Sequence, residues 1–333
     1  MTGNFQHRAA IPPVSGGAER PLWSVMIPTH NCASYLRETL ASVLSQDPGA
    51  GRMQIEVVDD ASSDRPDAVV EELGGGRVSF FRQPRNVGHV ANFNTCLERS
   101  RGRLVHLLHG DDCVREGFYA AIGRLLETEA EAGAAFCRYI AIDESGDWSS
   151  IAPLEQRSAG VIPGWLQKIA VGQRLQTPCM VVRREVYERL GGFDRRGGFA
   201  EDWEMWVRIA ADRAVAYEPE PLALYRVHSL SRTGRMLRTG ENVRDLRRVI
   251  EINREHLAPA EADEITSRAL RETATTCLRR ARRMLGAGDV DAMWAQVREA
   301  VRSDPSPRVL AEAAVVVAAR FVLALTGRQG HAA

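Results

Sequence analysis

Three times within the first 112 residues a short apolar run stops at a polar cluster. Leu22 to Ile27 leads into Pro28-Thr29-His30-Asn31. Ile55-Glu56-Val57-Val58 leads into Asp59-Asp60-Ala61-Ser62-Ser63-Asp64, and Leu104 to His109 into Gly110-Asp111-Asp112. Segments with helical spacing of apolar residues lie between these runs. Ala33 to Gln46 places Tyr35, Leu36, Leu40, Val43 and Leu44 on one side, and Asp64 to Leu73 and Val87 to Arg99 read the same way. Arg77 to Arg82 is a further strand candidate. Unbroken apolar runs alternating with amphipathic helices specify an α/β fold, with a mostly parallel sheet buried under helices on both faces. Such sheets bind ligands outside the carboxyl ends of their strands, which is where these polar clusters fall.

The middle of the chain is more mixed. Ala134 to Ile142 and Pro178 to Val182 read as strands, Gly164 to Gly172 and Arg184 to Leu190 as helices, and Gly191-Gly192-Phe193-Asp194 as a turn. A helix at Asp202 to Asp212 and a short strand at Ala214 to Tyr217 follow. Beyond about Arg232 the strand signal disappears. Glu241 to His256, Pro259 to Leu285, Val290 to Val301 and Pro307 to Leu325 all read as helices, with Pro259 and Pro307 in first-turn positions that need no N–H. The expected organisation is a tail over residues 1–20, an α/β domain over 21–232 and an all-helical region over 233–333. The tail expectation rests on a Gly-, Pro- and Ala-rich start without the apolar stretch of a signal peptide.

Charge sets limits on function. Lys plus Arg and Asp plus Glu number 43 each, and a nucleic-acid binder would show a basic excess. The six cysteines form no C-x-x-C pair, so reduced buried thiols are expected rather than a zinc site. No stretch reaches the roughly 18 uninterrupted apolar residues of a membrane span. The expected location is the cytoplasm. Pro307 to Leu325 is amphipathic enough to touch a membrane surface peripherally.

Five clusters carry candidate chemistry. Thr29, His30 and Asn31 close the first strand, where they meet a ligand or form a helix-capping turn. Asp59 and Asp60 close the second; Ser62 or Asp64 suits a helix cap, which leaves the adjacent acids unexplained. In His109-Gly110-Asp111-Asp112, neighbouring hard oxygens suit Mg2+ or Mn2+, and the alternative is a solvated turn. Glu201-Asp202 opens a helix whose dipole favours acids in any case. The flanking Trp203 and Trp206 offer an apolar wall that raises an acid toward general-base range, a face for a sugar, or plain core packing. Tyr225-Arg226-Val227-His228, with Ser229, Ser231 and Arg232, pairs a guanidinium fork for a diphosphate with a His that suits a metal.

In order and spacing these pieces resemble glycosyltransferase family 2, with its GT-A fold. The resemblance covers Leu22 to Arg232. It rests on Ser24 to Asn31, Val57 to Asp64, Asn86-Val87-Gly88, Asp111-Asp112, Gly191-Gly192-Phe193-Asp194 and Glu201-Asp202. It implies an inverting enzyme that uses a nucleotide-sugar donor, UDP-linked first, with Mn2+ or Mg2+ on the diphosphate and a glycan or lipid-linked acceptor. Thr29, His30 and Asp60 would line the nucleoside pocket, with Asn31 beside them. Asp111 would be the metal-binding last acid of the family's D-x-D motif and Asp112 a second-choice ligand. Asp202 would be the base. Arg226 would face the diphosphate, and His228 would meet metal or diphosphate. His109 stands where that motif usually begins with Asp, a departure that a Mn2+-binding imidazole can absorb. The competing reading is a non-catalytic nucleotide-sugar or glycan binder on the same fold. A nucleotidyltransferase and a dehydrogenase both lack their Gly-rich phosphate loop here.

Overall fold

The computed structural model describes residues 6–14, 20–228, 236 and 238–326. The chain divides into two compact units. Residues 1–169, 173–196 and 204–227 form the first; 170–172, 197–203 and 228–333 form the second.

The first unit is built on one sheet. Its strands are β1 (Trp23–Thr29), β2 (Met53–Asp59), β3 (Ser79–Arg82), β4 (Leu104–Leu107), β5 (Cys113–Val114), β6 (Ala132–Ile142), β7 (Trp148–Ile151), β8 (Gly160–Val161), β9 (Met180–Arg183) and β10 (Ala214–Arg226). The helices are α1 (Ala33–Leu44), α2 (Pro66–Gly74), α3 (His89–Arg99), α4 (Phe118–Thr128), α5 (Trp165–Val171), α6 (Arg184–Leu190) and α7 (Glu201–Asp212). α5 and α7 each continue from one unit into the other.

The sheet order is β3-β2-β1-β4-β9-β6-β10-β5, with β7 on β6 and β8 on β10. β3, β2, β1 and β4 run parallel. β9 is antiparallel to both β4 and β6, while β6 and β10 are parallel. The sheet is therefore mostly parallel, as expected, with an antiparallel strand at its centre. All seven residues of β1 and all seven of β2 are buried, the burial expected of strands covered on both faces. Leu36, Leu40 and Val43 of α1 are fully buried at helical spacing, each worth about 1.5–3 kcal/mol of apolar transfer.

The chain order reverses between β1 and β4. β2 lies on one side of β1 and β4 on the other, so the segments after all three open at the same sheet edge, at a topological switch point.

Residues 6–14 do not form the expected tail. Arg8 bridges Asp194, the Gly192 amide donates to Ala9 O at 2.8 Å and Arg184 donates to Pro12 O at 2.9 Å. Ile11 is buried. A Gly/Pro/Ala-rich composition lowers helix and strand propensity, but it does not stop a segment from lying against the turn at Gly191–Arg195.

The second unit holds α8 (Glu241–Arg254), α9 (Pro259–Gly286), α10 (Val290–Ser303) and α11 (Pro307–Thr326). Val243, Leu278, Met293, Val297, Val309 and Val316 meet in its core. Pro259 and Pro307 sit in first turns as read from sequence, and Asp289 caps α10 by accepting from the Ala292 amide at 3.1 Å. Besides these helices, the unit takes in residues 170–172 and 197–203.

Candidate active site

Three loops of the first unit are laced together at the carboxyl edge of β1, β2 and β3. His30 Nδ1 donates to Asp60 O at 2.9 Å, which leaves Nε2 to accept from the Asn86 and Asn31 amides, each at 3.2 Å. The Asn31 amide donates to Ser62 Oγ, and Asn31 Oδ1 accepts from the Ser63 amide, both at 2.9 Å. Among the described residues, the non-glycine positions with positive φ are Asn31 (51°), Ala61 (55°) and Arg65 (61°), all in or beside these loops. Asn tolerates that region and alanine resists it, so the packing around Ala61 holds a conformation the residue alone disfavours.

The adjacent acids after β2 have separate tasks. Asp59 is wholly buried and accepts from Ser62 and from Arg82 Nε at 2.7 Å. Asp60 is 3% exposed, and its two oxygens accept from the Val87 and Gly88 amides at 2.7 and 3.0 Å. Asp64 caps a helix, but not the one that follows it: its carboxylate accepts from the Ala33 amide at 2.7 Å, at the start of α1. The cap position of α2 is held instead by Arg65.

After β4, Gly110 passes so close to β1 that an added Cβ would lie 2.7 Å from Thr29 Oγ1 and 3.0 Å from Cys32 Sγ. Thr29 is thus a buried floor beneath Gly110, at 2% exposure, and not an open pocket wall. His109, Asp111 and Asp112 each offer a ligand atom, and these atoms lie within 4.8 Å of one another. His109 stacks on Phe93 with ring centroids 5.0 Å apart, and its Nδ1 is 3.6 Å from Asp112 Oδ2. Asp112 Oδ1 accepts from the Arg226 amide at 2.8 Å; Oδ2 is buried with no hydrogen-bond donor. Burial, reinforced by Asp111, pushes the Asp112 carboxyl well above the ordinary carboxylate range against the pull of the Arg226 amide and charge. A buried carboxylate oxygen without a donor, beside a second acid and an imidazole, fits a divalent cation. The mixed N and O donor set suits Mn2+ better than Mg2+.

Arg226 does not grip a diphosphate in this arrangement. Its guanidinium is fully buried and donates to Asp111 O at 3.0 Å, to Asp143 O at 3.1 Å, to Glu144 O and to Glu38, while lying over the Tyr35 ring. It ties the Asp111-Asp112 turn to α1 and to the turn after β6. Sequence alone cannot distinguish a fork aimed at phosphate from one aimed at backbone carbonyls. Glu38, which the sequence pattern leaves unmarked, and Tyr35, which reads there only as an apolar helix position, lie at helical spacing on α1, and nothing local marks them as partners of Arg226.

In the second unit, Asp202 is half-buried in the first turn of α7, and its Oδ1 accepts from the Trp203 amide at 2.7 Å. Its Glu201 neighbour is 5% exposed. Trp203 and Trp206 are each 1% exposed, so both are core residues and neither presents a face to a sugar. His228 is half-buried beyond the end of β10. Ser229, Ser231 and Arg232 lie outside the described residues. All six cysteines are buried and free, as expected.

The profile of the family described as Glycosyl transferase family 2 matches residues 24–191. An uncharacterized protein of Mycobacterium tuberculosis is 29% identical over 250 residues, covering 71% of this chain and 77% of that protein. A protein named N-acetylglucosaminyltransferase from Mesorhizobium japonicum is 35% identical over 238 residues, covering 64% of this chain and 54% of its own length. Among solved structures, S. aureus TarS 1-349 in complex with UDP-GlcNAc superposes with a TM-score of 0.61 at 15% identity, over 85% of this chain and 92% of that one. The mannosyltransferase PcManGT of Pyrobaculum calidifontis, in complex with GDP-Man and Mn2+, superposes with a TM-score of 0.57 at 20% identity, over 95% and 83%. These likenesses support the fold.

Proposed function

The chain belongs to glycosyltransferase family 2 and is a glycosyltransferase, and from that premise we propose that it moves a sugar with inversion from a nucleoside diphosphate to a hydroxyl of a glycan or lipid-linked acceptor. The observation that carries the reading is the grouping of His109, Asp111 and Asp112 ligand atoms within 4.8 Å after β4, at the sheet's switch point. Asp111 leads this set, and with His109 and Asp112 it would hold Mn2+ or Mg2+. The bound ion supplies Lewis-acid neutralisation of the leaving diphosphate. His30, Asn31 and the loop held by Asp60 are the nucleoside-facing elements; Asp60 acts through the Val87 and Gly88 amides that it fixes. His228 is a further contact to ion or diphosphate. Asp202 takes the proton from the acceptor hydroxyl as its oxygen attacks the anomeric carbon opposite the leaving oxygen. At the anomeric carbon one C–O bond forms as the C–O bond to the diphosphate breaks, the acceptor's proton passes to the Asp202 carboxylate, and the anomeric centre inverts. General-base help of this kind contributes about 10²–10⁴-fold. The UDP-GlcNAc bound to TarS favours a UDP-sugar, and the GDP-Man bound to PcManGT keeps GDP-sugars in the test.

The test is a panel of UDP-, GDP- and dTDP-sugars, scored for binding and for slow hydrolysis with Mn2+, with Mg2+ and with chelator. Metal-dependent release of nucleoside diphosphate, lost in Asp111→Ala and in Asp202→Asn, is expected. Donor binding without any turnover would instead favour the non-catalytic binder. Wild-type turnover by Asp202→Asn would remove that residue from the chemistry.

A membrane contact belongs to the same reading. No described helix is long and apolar enough to cross a membrane. The outward side of α11 nevertheless exposes Leu310, Val315 and Phe321 by 46, 62 and 61%, and the exposed Arg279, Arg282 and Arg308 belong to α9 and α11. Arg282 and Arg308 both reach Glu312 on α11. Apolar surface flanked by arginines suits an anionic lipid surface. Flotation with phosphatidylglycerol-containing vesicles should be lost when all three apolar residues are changed to serine. Equal flotation of that variant would dismiss the contact.

A further inference from the structure

The helices of the second unit take no part in the transfer step proposed above, yet α8 reaches the loop that leads into the candidate base. Residues 197–203 belong to the same compact unit as α8. The Phe199 amide donates to Asp245 Oδ2 at 2.9 Å. Gly198 has φ +61°, and a Cβ placed there would lie 2.5 Å from Asp245 Oδ2 and 2.6 Å from its Cγ. The loop backbone is therefore pressed against the carboxylate at a point whose conformation favours glycine and where an added Cβ would displace the Asp245 carboxylate. Gly197 approaches Val249, one turn further along α8, at 3.8 Å from the position of its missing Cβ. The Ala200 amide closes the turn onto Gly197 O at 3.0 Å, and α7 begins at the next residue. Asp245 is itself held in place. Its side chain is 16% exposed, and Arg248 stands 3.5 Å away on the same helix.

We infer that Asp245 is a positioning residue for the transfer step. It fixes the Gly198–Phe199 turn and, through it, the start of α7 on which Asp202 stands. The helical region then does more than decorate the transferase domain: it sets where the proton acceptor is held. A charge-assisted hydrogen bond from a backbone amide to a carboxylate is among the stronger ways to pin a loop, and displacement of a reacting group by about 1 Å can cost about 10²-fold in rate. The inference rests on the reading of Asp202 as base.

The experiment compares full-length Asp245→Asn and Asp245→Ala with wild type and with Asp202→Asn. Hydrolysis is measured on whichever of the UDP-, GDP- and dTDP-sugars turns over fastest with Mn2+, water serving as acceptor. Binding of the matching nucleoside diphosphate is measured by calorimetry, and rates are expressed per binding site. Asp245→Ala should lower kcat about 10–100-fold while the diphosphate Kd stays within about twofold. Asp245→Asn, which keeps an acceptor oxygen of the same shape, should recover part of that loss. A merely structural residue would lower the number of binding sites and leave kcat per site unchanged. Amide hydrogen exchange over residues 197–203 should be faster in both Asp245 variants, a readout that needs no turnover and that Asp245→Asn supplies if Asp245→Ala fails to fold. Wild-type kcat per site in the Asp245 variants, or wild-type exchange in that loop, would overturn the inference. Undiminished turnover by Asp202→Asn would instead remove the base reading and leave the exchange result to stand by itself.

Discussion

The guanidinium of Arg226 fills its fork with carbonyls of Asp111, Asp143 and Glu144 and with the carboxylate of Glu38. Removing it takes a donor from three backbone oxygens at once; Asp143 and Glu144 are exposed and can turn to water, so the net loss is that of an ordinary hydrogen bond, about 0.5–1.5 kcal/mol each. It also releases the turn that carries Asp111 and Asp112. Groups that orient metal ligands from behind typically weaken metal binding about 10–100-fold when lost. Arg226→Ala is therefore expected to unfold at lower urea and to bind Mn2+ at least about tenfold more weakly by EPR titration. Arg226→Lys should recover little, because one ammonium cannot span the fork. Glu38→Gln should cost under about 1 kcal/mol, since the Glu38 side chain itself stands 58% in solvent. Unchanged Mn2+ affinity in Arg226→Ala would return this residue to a purely structural part. At this scale the sequence shows which residues are chemically capable and hides whom they address. The acids at Asp59 and Asp60 are legible because they end apolar runs. That one holds Arg82 and the other the Val87 and Gly88 amides depends on loops brought together only by the fold.

Among elements, Gly102 marks the tightest approach in the parallel half of the sheet. A Cβ there would fall 2.4 Å from the Trp23 carbonyl carbon and 2.5 Å from the Ser24 nitrogen, both backbone atoms that cannot swing aside. Gly102→Ala must part β1 from the turn into β4. The expected cost is at least about 1–3 kcal/mol, as for other overpacked sites, read as a lower urea midpoint at unchanged m-value. Since β1 and β4 carry the loops at Thr29–Asn31 and His109–Asp112, Mn2+ binding should weaken in the same variant. A midpoint equal to wild type would mean that the sheet absorbs the methyl freely. Strands and helices of the α/β half are readable to within a few residues, because buried parallel strands are unbroken apolar runs and their crossover helices are periodic. α4 (Phe118–Thr128), β5 and β7 receive no element in the sequence reading. β5 is two residues long and β7 is exposed along all four of its positions, so neither leaves an apolar pattern. β10 runs to Arg226, past the Tyr217 at which the sequence pattern ends; Pro219 and Pro221 break that pattern, and the strand takes them in at the places where its pairing with β6 shifts register.

For the whole molecule, the question is whether the ion that the site would hold also holds the fold. The interior argues that it does not. The sheet's core is closed by apolar side chains such as Val25, Ile27, Phe136 and Val182, all nearly or wholly buried, and the helical unit has its own apolar core. The carboxylates and imidazole at issue sit at the rim, outside the last residues of β4. A chain of 333 residues buries enough surface to fold without a metal staple. Chelation should therefore leave the far-ultraviolet circular dichroism unchanged and abolish donor hydrolysis. A bound ion would contribute to stability only by mass action, about 2.7 kcal/mol at a hundredfold excess over its Kd. The melting midpoint should accordingly rise with Mn2+ concentration without levelling while the ion is in excess. In Asp111→Ala, whose apo form should melt close to the apo wild type, that rise should vanish. Loss of secondary structure on chelation would make the ion a structural element. A midpoint indifferent to Mn2+ in the wild-type protein would remove His109, Asp111 and Asp112 as its ligands.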